Sequence, residues 1–61
     1  MKRQWLKIAR EHKGLTQELV ATKVMISRQY YGMLEAGIRN PSVPLAKRIA
    51  AVIGVDWTYF F

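Results

Sequence analysis

Apolar residues recur along this chain at helical spacing, and glycines interrupt the pattern where helices would end. Gly14, Gly37 with the nearby Asn40-Pro41, and Gly54 divide the sequence into four helix-length pieces. None alternates apolar and polar residues as a half-buried strand does. The pattern predicts an all-α fold, a compact bundle of four to five short helices. In the first piece Trp5, Leu6, Ile8 and Ala9 form a wide apolar face between Lys7 and Arg10, and Lys13-Gly14 supplies a last turn and stop. Thr16 is a good N-cap for a second helix carrying Leu19, Val20, Ala21 and Val24. A third helix begins after Ser27 and runs to about Glu35, before Gly37. Ser42 can cap a fourth, in which Pro44 is tolerated because first-turn N–H groups have no intrahelical acceptor. Leu45, Ile49, Val52 and Ile53 give that helix a buried stripe, and Asp56 is placed to cap a short aromatic turn, Trp57 to Phe61.

Between Thr16 and Glu35 the apolar and small residues fall where two short helices crossing steeply need them. Val20, Val24, Ile26, Tyr31 and Leu34 can share one core, and Ala21 stands where the crossing is closest. Two arrangements satisfy this spacing. One is a helix-turn-helix unit, which presents its second helix to the DNA major groove. The other is an antiparallel pair inside a small bundle.

Charge favours the first. Ten Lys and Arg against four acids leave +6 and a pI near 10.2, a balance suited to polyanions, with nucleic acid ahead of an anionic membrane surface. The 61 residues make one domain, 1–61, with 55–61 as its aromatic C-terminal turn. With no cysteine, the domain must hold together without disulfides or thiolate metal sites. No apolar run approaches membrane-spanning length, and a soluble, cytoplasmic protein is expected. An enzyme is disfavoured, because His12 is the single histidine and neither an acid pair nor a phosphate loop stands out. No metal, cofactor or small-molecule ligand is expected, and His12 reads as a solvent-facing or interface residue.

Four blocks sharpen the picture. Leu15-Thr16-Gln17-Glu18, Ser27-Arg28, Leu34-Glu35-Ala36-Gly37 and Arg39-Asn40-Pro41-Ser42 resemble the signature of the Cro/CI-type (XRE) helix-turn-helix regulators of phages and bacteria, from about Leu6 to Val55. The resemblance implies a transcriptional regulator, repressor or Cro-like, binding double-stranded DNA as a homodimer on a near-palindromic operator. It also implies a phosphate contact for Gln17 at the start of the second helix, where free N–H groups add positive potential. Arg28, Gln29, Gly32 and Met33 lie on the face of the third helix opposite Tyr31 and Leu34, and they are the candidates for base contacts. Arg can grip guanine and Gln adenine in a two-pronged fashion, Met can pack on a thymine methyl, and Gly32 lets the backbone approach the groove. Arg28 is equally suited to a phosphate. Thr16, Tyr30, Arg39 and Asn40 are candidates for the sugar-phosphate backbone, although Tyr30 can instead be partly buried. Arg10 and Glu35 match a family ion pair between the first and third helices.

The chain departs from the family twice. Met25 stands where a glycine usually supplies a left-handed turn, so either about 1–2 kcal/mol of strain is accepted or the second helix ends differently. Tyr31 replaces a smaller aliphatic residue and brings a hydroxyl that needs a partner if buried. Trp57, Phe60 and Phe61 follow i, i+3, i+4 spacing. They can complete the core or, if exposed, pair two subunits. A rival reading is an antitoxin that engages a protein partner through this face and binds DNA to control its own synthesis. A cationic membrane peptide fits less well, since the third helix carries a mixed Arg, Gln, Gly and Met surface in place of a lysine-rich flank.

Overall fold

Each helix begins and ends where side chains supply or withhold partners for the backbone. The computed structural model describes residues 3–61 and, among them, places α1 at Gln4–His12, α2 at Gln17–Val24, α3 at Arg28–Ala36 and α4 at Val43–Ile53, followed by a 3-10 turn at Trp57–Phe60. Thr16 Oγ1 accepts from Leu19 N at 3.1 Å, Ser27 Oγ from Tyr30 N at 3.0 Å and Ser42 Oγ from Leu45 N at 3.2 Å. Each satisfies a donor that its helix cannot, an effect of about 1 kcal/mol per cap. Asp56 caps the 3-10 turn through Thr58 N and Thr58 Oγ1, and these bonds hold its carboxyl below the ordinary value.

The first three helices end alike. Leu15 N reaches Arg10 O, Ile26 N reaches Ala21 O and Ile38 N reaches Met33 O, each closing a terminal loop over a left-handed residue. At two of these ends that residue is Gly14 or Gly37. At the end of α2 it is Met25, with φ 64° and ψ 42°. The strain anticipated for a side chain here is therefore accepted, and α2 ends in the same geometry as its neighbours. Met25 is 89% exposed, so no packing compensates it. The backbone bonds and the half-burial of Ile26 do.

The core joins all four helices and the turn. Leu6, Val20, Ala21, Val24, Tyr31, Leu34, Leu45, Ala46, Ile49, Ile53 and Phe60 are buried together. α3 packs on α2, α4 on α2 and the 3-10 turn, and α1 on α3. Ala21 is fully enclosed where α2 meets its neighbours, as the close crossing requires. Two apolar residues of the predicted helices, Ile8 and Leu19, lie outside the core. Ile8 is 55% exposed because it sits two positions from Leu6, nearly opposite on the helix, while Arg10 takes the inward place. Leu19 is 47% exposed, on the flank away from the Val20, Ala21 and Val24 stripe.

The tail departs from its expected spacing. In a 3-10 helix residues i and i+3 eclipse, so Phe60 turns inward and is buried, Trp57 is half-buried above it, and Tyr59 and Phe61 face solvent. Trp5 meets Phe60 and Tyr59 edge-on at 5.0 and 5.8 Å between ring centroids. Phe60 belongs to the core of its own chain and has no surface left for a second subunit. Among the described residues, no helix is long and apolar enough to cross a membrane.

Candidate nucleic-acid interface

The reading helix is held by its inner side. Arg10 Nε donates to Glu35 Oε2 at 2.6 Å and its Nη2 to Oε1 at 3.4 Å, a two-pronged pair joining α1 to α3. Arg10 Nη1 also donates to Leu15 O at 2.7 Å, which fixes the turn leading into α2. Gln17 Nε2 reaches Glu35 Oε1 at 3.0 Å, so three helices converge on one carboxylate. Burial alone would raise the Glu35 pKa. The bonds from Arg10 and Gln17 outweigh it and hold the carboxyl below its ordinary value of 4.5, while the bond to Glu35 raises the Arg10 guanidinium further above its already high value. The acid is thereby neutralised within the protein, beside a surface otherwise rich in positive charge.

Tyr31 lies beneath this pair. Its ring is fully buried and, among the described residues, its hydroxyl makes no hydrogen bond. Burial first, and then the Glu35 carboxylate close to the hydroxyl though without hydrogen-bond geometry, push its pKa upward. The nearest acceptor, the Glu35 carboxylate, is already engaged by Arg10 and Gln17.

The outer side of α3 is free. Arg28 and Gln29 are exposed at its first turn, and Gly32 and Met33 are half-buried further along. Ala36 shares this face and was passed over in the sequence, since nothing in an alanine signals a contact. Gly32 has no positive φ, and a Cβ built there would approach Gln17 Oε1 at an ordinary 3.7 Å. The fold itself does not need glycine at this position, even though glycine costs the helix about 1 kcal/mol relative to alanine.

Around this face the remaining candidates divide between two regions. Arg28, Thr16 and Gln17 border an open depression with Arg10, Glu11, Gly14, Leu15 and Glu18, at the N-terminus of α2. Arg39 and Asn40 stand exposed in the loop between α3 and α4. Thr16 has committed its oxygen as an acceptor to the helix cap, leaving its proton to donate. Gln17 has committed one amide proton to Glu35, and Asn40 Oδ1 accepts from Arg3 Nη2 at 2.6 Å, which leaves the Asn40 amide nitrogen to donate elsewhere. Tyr30 is half-buried against the core, the packing alternative to a phosphate contact.

A cleft of about 180 Å³ lies between α1, α2 and α3, lined by Arg3, Gln4, Lys7, Gln17, Gly32, Glu35 and Ala36. Arg3 and Lys7 were missed in the sequence. Their signal was present as two cations one turn apart at the start of α1, but only the packing of α1 on α3 brings them beside the outer face. His12 is exposed and away from this group.

Comparison with known proteins agrees with this geometry. Residues 6–60 match the family described as Helix-turn-helix. Over all 61 residues the chain is 52% identical to an HTH-type transcriptional regulator of Bacillus subtilis strain 168, covering 80% of that protein. It is 46% identical over 50 residues to an HTH-type transcriptional regulator of Methanothermobacter thermautotrophicus, an overlap of 77% of this chain and 72% of that one. To the control protein C.MunI of a Mycoplasma species it is 33% identical over 55 residues, 90% of this chain and 74% of the relative.

Proposed function

The chain belongs to the helix-turn-helix family of transcriptional regulators, and from that premise we propose that it is a sequence-specific double-stranded-DNA-binding regulator whose α3 reads the major groove. The observation that carries this reading is the asymmetry of α3. Its inner side is locked by Arg10, Gln17 and the core, while its outer side presents Arg28 and Gln29, exposed and with no side-chain hydrogen bond among the described residues. Gln29 is assigned to an adenine and Arg28 to a guanine or a phosphate. Met33 packs on a thymine methyl, and Gly32 admits the backbone close to the base edges. Thr16, Gln17, Arg39 and Asn40 supply donors to phosphates, with the free N–H groups of α2 adding to the Gln17 contact.

The protein acts by occupying a near-palindromic operator as a dimer, its two α3 helices entering successive major grooves about 34 Å apart. Tyr59 and Phe61, exposed at 65% and 66%, with Trp57 beside them, are the surface assigned to the subunit contact. It works in the compartment that holds the DNA, the cytoplasm of a bacterial cell.

Selection from random duplexes tests the whole reading, because the enriched site reports sequence preference, symmetry and spacing together. An enriched motif with two half-sites one helical turn apart is expected. Recovery of no motif, with affinity insensitive to salt, would overturn the assignment, since each neutralised phosphate should contribute a log–log salt slope of about −0.9.

A further inference from the structure

Arg3 makes more long-range contacts than any candidate DNA residue, and none of the roles above uses them. Its backbone N–H donates to Glu35 O at 2.8 Å. Its Nη1 donates to Leu34 O at 2.6 Å and Arg39 O at 3.0 Å, and its Nη2 to Asn40 Oδ1 at 2.6 Å. The guanidinium also lies over the Phe60 ring, 5.6 Å from its centroid. One side chain thus joins the start of α1, the last carbonyls of α3, the loop to α4 and the aromatic turn.

We infer that Arg3 is a positioning residue for DNA binding, a clamp that fixes the loop carrying Arg39 and Asn40 relative to α3. The inference rests on the DNA-binding reading above. Three features support it. The last carbonyls of α3 carry partial negative charge, and Leu34 O receives from its own terminal turn only the Gly37 N–H at 3.2 Å, so its remaining lone pair is open to a cation. A planar guanidinium can serve three acceptors in fixed directions, whereas an ammonium acts as a point charge without that geometry. The bond to Asn40 Oδ1 also commits this amide's oxygen to Arg3, which leaves its nitrogen, the donor a phosphate requires, as the end available to a ligand. Arg3 in this way sets the polarity of a side chain that is itself exposed.

The contact is to the loop rather than to a base, so its loss should weaken binding on every sequence alike. The full-length chain and its R3A, R3K, N40A and R3A/N40A variants are titrated against a random-sequence duplex at low salt, at a temperature where circular dichroism shows each to be folded. R3A and R3K are both expected to bind on the order of tenfold more weakly than the parent, as loss of charge-assisted hydrogen bonds implies. N40A should lose less, and adding it to R3A should change affinity little. In the free protein, exchange of the Ile38 and Arg39 amides, which donate to Met33 O, should quicken in R3A and R3K more than exchange at Val24 or Ile53. That local effect separates positioning from general destabilisation. Full affinity in R3K would mean that charge alone matters and would overturn the clamp, as would losses for R3A and N40A that add independently. Should R3A fail to fold, R3K and N40A carry the same comparison. A parent protein that binds no duplex would instead sink the functional reading, an outcome distinct from parent-like binding by the variants.

Discussion

The two halves of α3 are built to opposite purposes. In its C-terminal half nearly every polar group is committed: Glu35 to Arg10 and Gln17, Leu34 O to Arg3, and Met33 O to Ile38 and Arg39. In its N-terminal half the Ser27 cap closes the backbone, and Arg28 and Gln29 remain exposed. The contrast teaches how a domain of this size holds a reading helix still without covering it. Fixing one end of a rigid rod orients the whole, so the other end can keep its hydrogen-bonding groups for a ligand. Free rotamers at that end also cost the fold nothing until a partner orders them.

Breaking the anchored half should have the largest effect. Arg10→Ala strands the Glu35 carboxylate in a nearly solvent-free place and should destabilise the fold by about 3–5 kcal/mol, read by urea unfolding. A loss below 1 kcal/mol would mean that the pair does not anchor α3. Next in size, Gln29→Ala should leave the unfolding midpoint alone while reducing affinity for the selected duplex by about 1–3 kcal/mol and relaxing preference at one position. Equal losses on all sequences would move Gln29 from reader to backbone contact.

Smaller effects test the geometry between the halves. Met25→Gly should stabilise the protein by about 0.5–1 kcal/mol, relief of left-handed strain outweighing the extra freedom of the unfolded chain. A lower midpoint would show that the exposed methionine makes contacts worth more than its strain.

Acidification should reveal Glu35. Its folded pKa lies below 4.5, so its stabilising contribution is complete above that pH and disappears as pH falls through the lower, folded value. Glu35→Gln should flatten that acid limb, and an unchanged limb would point to other carboxyls. At the opposite extreme, Tyr31 keeps its proton when folded but releases it near 10.0 when unfolded, so stability should fall as pH rises above 10.0. Tyr31→Phe should remove this loss. With no hydrogen bond of good geometry to forfeit, it should also raise the unfolding free energy slightly, by about 1 kcal/mol at most. A destabilised phenylalanine variant would show that the hydroxyl is satisfied in solution.

How much was legible beforehand follows from the range of each signal. The helices were readable because caps and stops are local: Thr16, Ser27, Ser42 and Asp56 each act within three residues of themselves. Met25 was readable as a problem, since a left-handed turn was expected at a position without glycine, but its resolution depended on the bonds that Ile26 and Met25 make back into α2. Ile8 was placed on the apolar face of α1 yet is exposed, because an apolar residue announces hydrophobicity and not the neighbour that would cover it. Arg3 was visible as a cation near Lys7, but its partners were not, as every residue its side chain bonds lies more than 30 positions away.

By itself, the order of residues determined where this chain coils, where it turns, and which side of α3 carries groups able to meet a base. Tertiary structure decided which of those groups stay free, because commitment of a hydrogen bond depends on what packing brings within about 3 Å. Gln17 illustrates both: its type and place at the start of α2 were plain in the sequence, yet only the meeting of α1, α2 and α3 gave one of its protons to Glu35 and left the other for a partner.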